Sequence, residues 1–127
     1  MGRKTFDVNK EDFPFPNALN VVLTKNRRLF NENEKEQILF TNLEPDKLLK
    51  YLANKGYKKA LLIGGRKTNS AFVERDLIDE IMLIVHPLIF GAGMEIFLKS
   101  NMQLSLKLTE VKKLKQDLVR LHYKVIK

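Results

Sequence analysis

Two stretches of this chain place glycines, cations and hydroxyls where an anionic ligand would need them. In the first, the apolar run Leu61 to Ile63 stops at Gly64-Gly65 and is followed by Arg66-Lys67-Thr68-Asn69. Paired glycines let backbone approach a ligand closely, and the free N–H groups of a first helical turn attract phosphate. The pattern predicts a buried strand, a Gly-Gly turn and a helix capped by Thr68 or Asn69, with Phe72 and Val73 turned inward. In the second stretch, Lys25, Asn26, Arg27 and Arg28 directly follow the apolar strand Asn20–Thr24. Parallel sheets place their ligands at that carboxyl end.

Other chemistries find little support. The chain has no cysteine, which excludes disulfides, thiolate metal sites and cysteine nucleophiles. Its two histidines, His86 and His122, lack the spacing of metal ligands. Asp79 and Glu80 are adjacent on a strand and point to opposite faces, so they do not form a paired-carboxylate site. One of them is expected to hold a neighbouring loop or helix start. Gly91-Ala92-Gly93 lacks the Lys-Ser/Thr of a phosphate loop and is expected to form a tight turn. Met82, Met94 and Met102 read as packing residues.

The elements that must position these residues follow from periodicity. Asn20–Thr24, Gln37–Thr41, Leu61–Ile63 and Ile81–Val85 are short apolar runs of the strand type, the last ended by His86-Pro87. Pro45 opens a helix with an inward stripe of Leu48, Leu49 and Leu52, closed by Gly56. Phe13-Pro14-Phe15-Pro16 is a kinked aromatic connection. Leu104, Leu106 and Leu108 alternate with polar residues, as do Val119, Leu121, Tyr123 and Val125, which predicts a closing antiparallel hairpin. Alternating strands and helices with short links imply right-handed crossovers and a mainly parallel α/β sheet.

Length, at 127 residues, predicts one domain. A composition of 44% hydrophobic and 30% charged residues is that of a folded chain. No apolar run approaches the roughly 20 residues of a membrane span, and the first residues resemble no targeting peptide. The default expectation is a cytoplasmic protein without a membrane partner. A net charge of +8 favours polyanions or phosphorylated small molecules. No zinc finger, RNA-recognition signature or arginine-rich run appears, so nucleic acid is not the expected partner.

One ordered set of residues carries a family resemblance: the strand into Gly64-Gly65, then Thr68-Asn69 with Phe72, Leu77 to Ile81, His86-Pro87, Gly91, Gly93 and Phe97. This set resembles the second half of the dihydrofolate-reductase-like fold, closest to the reductase domain of riboflavin biosynthesis and its stand-alone relatives. The resemblance implies a three-layer α/β fold over residues 1–127, with a mainly parallel central sheet and a C-terminal antiparallel hairpin. It also implies an NADPH-dependent reductase, with hydride transfer to a pyrimidine- or pterin-like substrate and a homodimeric assembly. Gly2, Arg3, Lys4 and Thr5 match a motif that opens a helix and contacts the NADPH phosphates. Gly64, Gly65, Arg66, Lys67, Thr68 and Asn69 would hold the phosphates from the other side. Thr24, Lys25, Asn26 and Arg27, with Arg28, would read the 2′-phosphate. The resemblance assigns no catalytic residue and no metal.

Family members carry a further segment before the Gly2 motif, with the first strand and active-site loop, so the chain is expected to be truncated there. Its exposed sheet edges would then invite self-association. Ile63 stands where the riboflavin type has an acidic residue, and Ala71-Phe72 where folate reductases have a tyrosine. Three readings therefore stay open: a riboflavin-type reductase, a dihydrofolate reductase, and a non-catalytic nucleotide-binding or interaction protein.

Overall fold

The computed structural model describes residues 1–30 and 37–127; part of the Gln37–Thr41 approach, residues 31–36, lies outside the described residues. The element order is α1 (Arg3–Val8), β1 (Asn20–Leu23), β2 (Ile38–Thr41), α2 (Pro45–Asn54), α3 (Arg66–Val73), β3 (Glu80–Val85), β4 (Ser105–Lys113) and β5 (Val119–Ile126). It is an α/β fold with a parallel and an antiparallel sheet. β1 pairs in parallel with β2, and β5 runs antiparallel between β3 and β4.

The parallel pair has a core on each face because its side chains alternate. Val22, fully buried, packs with Phe6 of α1 and with Ile38 and Phe40 of β2. Phe6 meets Phe40 edge to face at 5.5 Å. On the other side Val21 and Leu23 join Leu48 and Leu52 of α2 and Phe72 of α3. The predicted leucine stripe is therefore core, with Pro45 in the first turn of α2. Phe13 packs against Phe6 and Phe15, as expected of an aromatic connection. Buried Asn20 secures that connection by donating to the carbonyls of Phe15 and Ala18 and accepting from Phe15 N–H.

The closing hairpin is present and longer than its alternation suggested. β4 and β5 pair over eight positions, with a register shift between Leu108 and Glu110, and a turn at Gln116 and Asp117 with positive φ. One face carries Glu80 with His122 at 2.9 Å and Glu110 with Arg120 at 2.7 Å. Asp79 and Glu80 thus hold side chains of the last strand and C-terminus, Lys127 and His122, rather than a loop or helix start.

Further expectations are corrected. Leu61 to Ile63 is not a strand: among the described residues it joins no ladder, and Leu61 is 82% exposed. The place beside β1 is held by Met1 and Gly2, which accept from Leu23 N–H and bridge to Leu23. Gly2 N–H in turn donates to Gly64 O at 2.8 Å. Of that run, Leu62 turns into a core. The Ile81–Val85 strand exists but is not buried: among the described residues it pairs on one edge only, with β5, and Met82 and Ile84 are half exposed. Met82 and Met94 are likewise surface residues rather than packing residues.

Candidate functional site

The carboxyl end of β1 is where the motifs meet. Because Gly2 bridges Leu23 in parallel, the start of α1 and the turn after β1 lie at the same end of the sheet. The Gly2–Gly64 hydrogen bond brings the start of α3 to that end as well. Three segments distant in sequence therefore converge: Gly2 to Thr5, Thr24 to Arg28, and Gly64 to Asn69.

Glycine keeps the contact between the first and third close. A Cβ on Gly2 would lie 2.8 Å from Thr68 Oγ1, and one on Gly65 would lie 3.2 Å from Thr5 Oγ1. Each helix thus presents a hydroxyl to the glycine that opens the other. Gly64 has φ +97, a left-handed conformation that side chains other than glycine rarely adopt.

Neither helix carries a side-chain cap. Gly2 is the N-cap of α1 and Gly65 that of α3. The expected capping by Thr68 or Asn69 is corrected: the helix starts directly after the glycine pair, so both residues lie within it. Thr68 turns to Gly2, and Asn69 donates to Ile96 O at 2.9 Å. The first N–H groups of α3, from Arg66 to Thr68, consequently have no acceptor inside the helix. They give the site a partial positive charge.

The cations differ in availability. Arg3 is held by Asp7 at 2.8 Å, and Arg66 by Glu95 at 2.8 Å. Lys4 and Lys67 are exposed. After β1, Thr24 Oγ1 accepts from Asn26 N–H and Asn26 Oδ1 accepts from Arg28 N–H. Thr24 and Asn26 therefore shape a short 3₁₀ turn, Arg27–Leu29, and leave Lys25, Arg27 and Arg28 exposed around it.

Sequence reasoning missed the segment Glu95 to Leu98, which runs along α3. Besides Glu95 and Ile96, Leu98 N–H donates to Ser70 Oγ at 2.8 Å. Glu95 is drawn below the usual carboxylate range by its own backbone N–H and by Arg66. No motif signals a pairing across 29 residues. The glycine pair Gly91 and Gly93 leads into this segment, with open space around both.

Two shallow hollows, of about 220 and 270 Å³, lie at the opposite, amino end of the parallel pair, lined by Leu19, Tyr57 and neighbours. Among the described residues no cluster of His, Asp and Glu could hold a metal, and no helix is long and apolar enough to cross a membrane.

The RibD C-terminal domain family matches residues 6–120 of this chain. The chain belongs to that family. Among curated proteins it is 24% identical over 132 residues to the uncharacterised protein YyaP of Bacillus subtilis, covering 96% of this chain and 70% of that one. Among solved structures, a putative riboflavin biosynthesis protein from Shewanella sp. PV-4 superposes with a TM-score of 0.81 at 24% identity, covering all of this chain and 72% of its own. RibD of Acinetobacter baumannii matches with a TM-score of 0.62 and 26% identity over 84% of this chain and 31% of that much longer one. A pyrimidine reductase-like protein of Corynebacterium diphtheriae matches with a TM-score of 0.61 at 18% identity, over 84% of this chain and half of its own. The resemblance to the riboflavin-type, dihydrofolate-reductase-like group is thereby upheld, and with it the α/β fold of mixed sheets.

Proposed function

We propose that this chain binds NADPH and belongs to a reductase of the riboflavin-biosynthesis type, acting on a pyrimidine- or pterin-like small molecule. The observation that carries the reading is the meeting of two uncapped, glycine-opened helices beside an exposed basic turn at the carboxyl end of β1. The glycines leave room for backbone to approach a pyrophosphate closely, and the N–H groups of Arg66 to Thr68 supply donors. Thr5 and Thr68 add hydroxyls, and Lys4 and Lys67 add charge. Lys25 and Arg27, with Arg28, are assigned to the 2′-phosphate, which distinguishes NADPH from NADH. When bound, that cofactor supplies the hydride. This chain's own residues bind and orient; no side chain in it is assigned to proton transfer. A homodimer and a cytoplasmic location are part of the same reading.

A second reading, nucleotide binding without turnover, is favoured by the half-exposed β3 and by Leu61–Ile63, which joins no ladder among the described residues and has Leu61 exposed. One pair of experiments separates the two. Saturating NADPH, at about a hundred times Kd, is expected to raise Tm by on the order of 10 °C, and NADH by much less. Equal or absent shifts for the two would defeat the cofactor assignment. Steady-state oxidation of NADPH with a pyrimidine or pterin acceptor would then exclude the non-catalytic reading.

A further inference from the structure

We infer that Glu95 is an internal competitor for the anion site, neutralising Arg66 until a multiply charged phosphate ligand displaces it. This inference rests on the phosphate-binding reading above and adds a selectivity to it. Three contacts tie the segment Glu95 to Leu98 to α3, and they differ in kind. Asn69 and Ser70 hold main-chain groups, Ile96 O and Leu98 N–H. Such contacts fasten the segment whatever its side chains are. The contact at the first residue of α3 is different, since there a carboxylate meets the guanidinium of Arg66 at 2.8 Å. Arg66, Asn69 and Ser70 are spaced i, i+3, i+4, so one helix face carries all three contacts. The segment therefore runs along α3 from its N-terminal end, with its only charge beside Gly64-Gly65.

Placed there, Glu95 lies where a carboxylate is favoured by the helix dipole and by Arg66 together. An entering phosphate meets this resident negative charge and must outbid it for the guanidinium. A singly charged anion offers no gain over the carboxylate already present. A pyrophosphate, with more charge and more acceptors, does. Because the two main-chain contacts do not involve Glu95, the segment stays fastened when the ion pair opens.

The test compares the unchanged chain with Glu95→Gln, Arg66→Gln and the double variant. Inorganic pyrophosphate and NADPH are titrated by calorimetry at low and high salt, with Tm recorded for each protein to confirm folding. Glu95→Gln is expected to bind pyrophosphate about two- to fivefold more tightly at low salt, the range for an exposed ion pair. The gain should shrink at high salt and vanish in the Arg66→Gln background. Unchanged or weaker pyrophosphate binding by Glu95→Gln would overturn the inference while leaving the phosphate site intact. A gain that persists without Arg66 would also overturn it. Binding of neither pyrophosphate nor NADPH by any of the four proteins would defeat the phosphate site itself, and the inference with it.

Discussion

Substituting Gly2 by alanine tests the meeting of the two helices directly. The backbone at Gly2 has φ −78 and ψ 160, which alanine adopts without strain, so no dihedral penalty enters. The added methyl would lie 2.8 Å from Thr68 Oγ1, while the next neighbours, Gly65 N and Gly64 O, stand at 3.8 and 4.0 Å. One side-chain atom is therefore the whole obstacle. Thr68 can yield by changing rotamer or the helices can part slightly, at a cost of about 1–3 kcal/mol for overpacking. The cost of replacing glycine with alanine at an N-cap and the gain from a stiffer unfolded chain are each below about 1 kcal/mol and of opposite sign. Thr68→Ala removes the obstacle and provides the control. Gly2→Ala is expected to destabilise the natural background by about 1–2 kcal/mol and the Thr68→Ala background by less than about 0.5 kcal/mol, a coupling of about 1 kcal/mol. Urea unfolding of the four proteins measures it, and in thermal unfolding 1 kcal/mol corresponds to about 4 °C at this size. Equal costs in both backgrounds would refute the contact. A Gly2→Ala protein with full stability would refute it as well.

The remaining predictions concern charge. Burial lowers the Met1 amine, which donates to Val21 O, from its ordinary value of 8.0 to about 6. Between pH 6 and 8 the unfolded chain thus binds more protons than the folded one, so stability should rise with pH across that window by at most about 3 kcal/mol and level off above it. Chemical unfolding of the 127-residue chain with an intact Met1 measures this; an acetylated amine should abolish the slope, and a slope that survives acetylation would assign it elsewhere. Lys25→Gln with Arg27→Gln should weaken NADPH binding about tenfold or more, the worth of charge-assisted hydrogen bonds, and leave NADH unchanged. Equal losses for both cofactors would remove the 2′-phosphate assignment.

Much of the site was legible because its signals are local. A glycine pair before a helix, a basic turn after an apolar run and a proline-opened leucine stripe each follow from backbone freedom, charge or periodicity within a few residues. The hairpin was legible for the same reason, since alternation over β4 and β5 needs no distant partner to be recognised. Capping was misread locally: Thr68 and Asn69 have capping side chains, but the chain enters the helix at the glycines and turns those side chains to Gly2 and to Ile96.

What sequence alone determined, then, is where most of the strands, helices and turns fall, and that glycine-rich and basic ends exist. Tertiary structure decided which of them meet. Whether an apolar run becomes a buried strand depends on a neighbouring ladder, and Leu61 to Ile63 joins none among the described residues, while Met1 and Gly2 hold the place beside β1. The pairing of Arg66 with Glu95 likewise depends on how the segment after β3 crosses α3, a matter of long-range packing that no local spacing encodes.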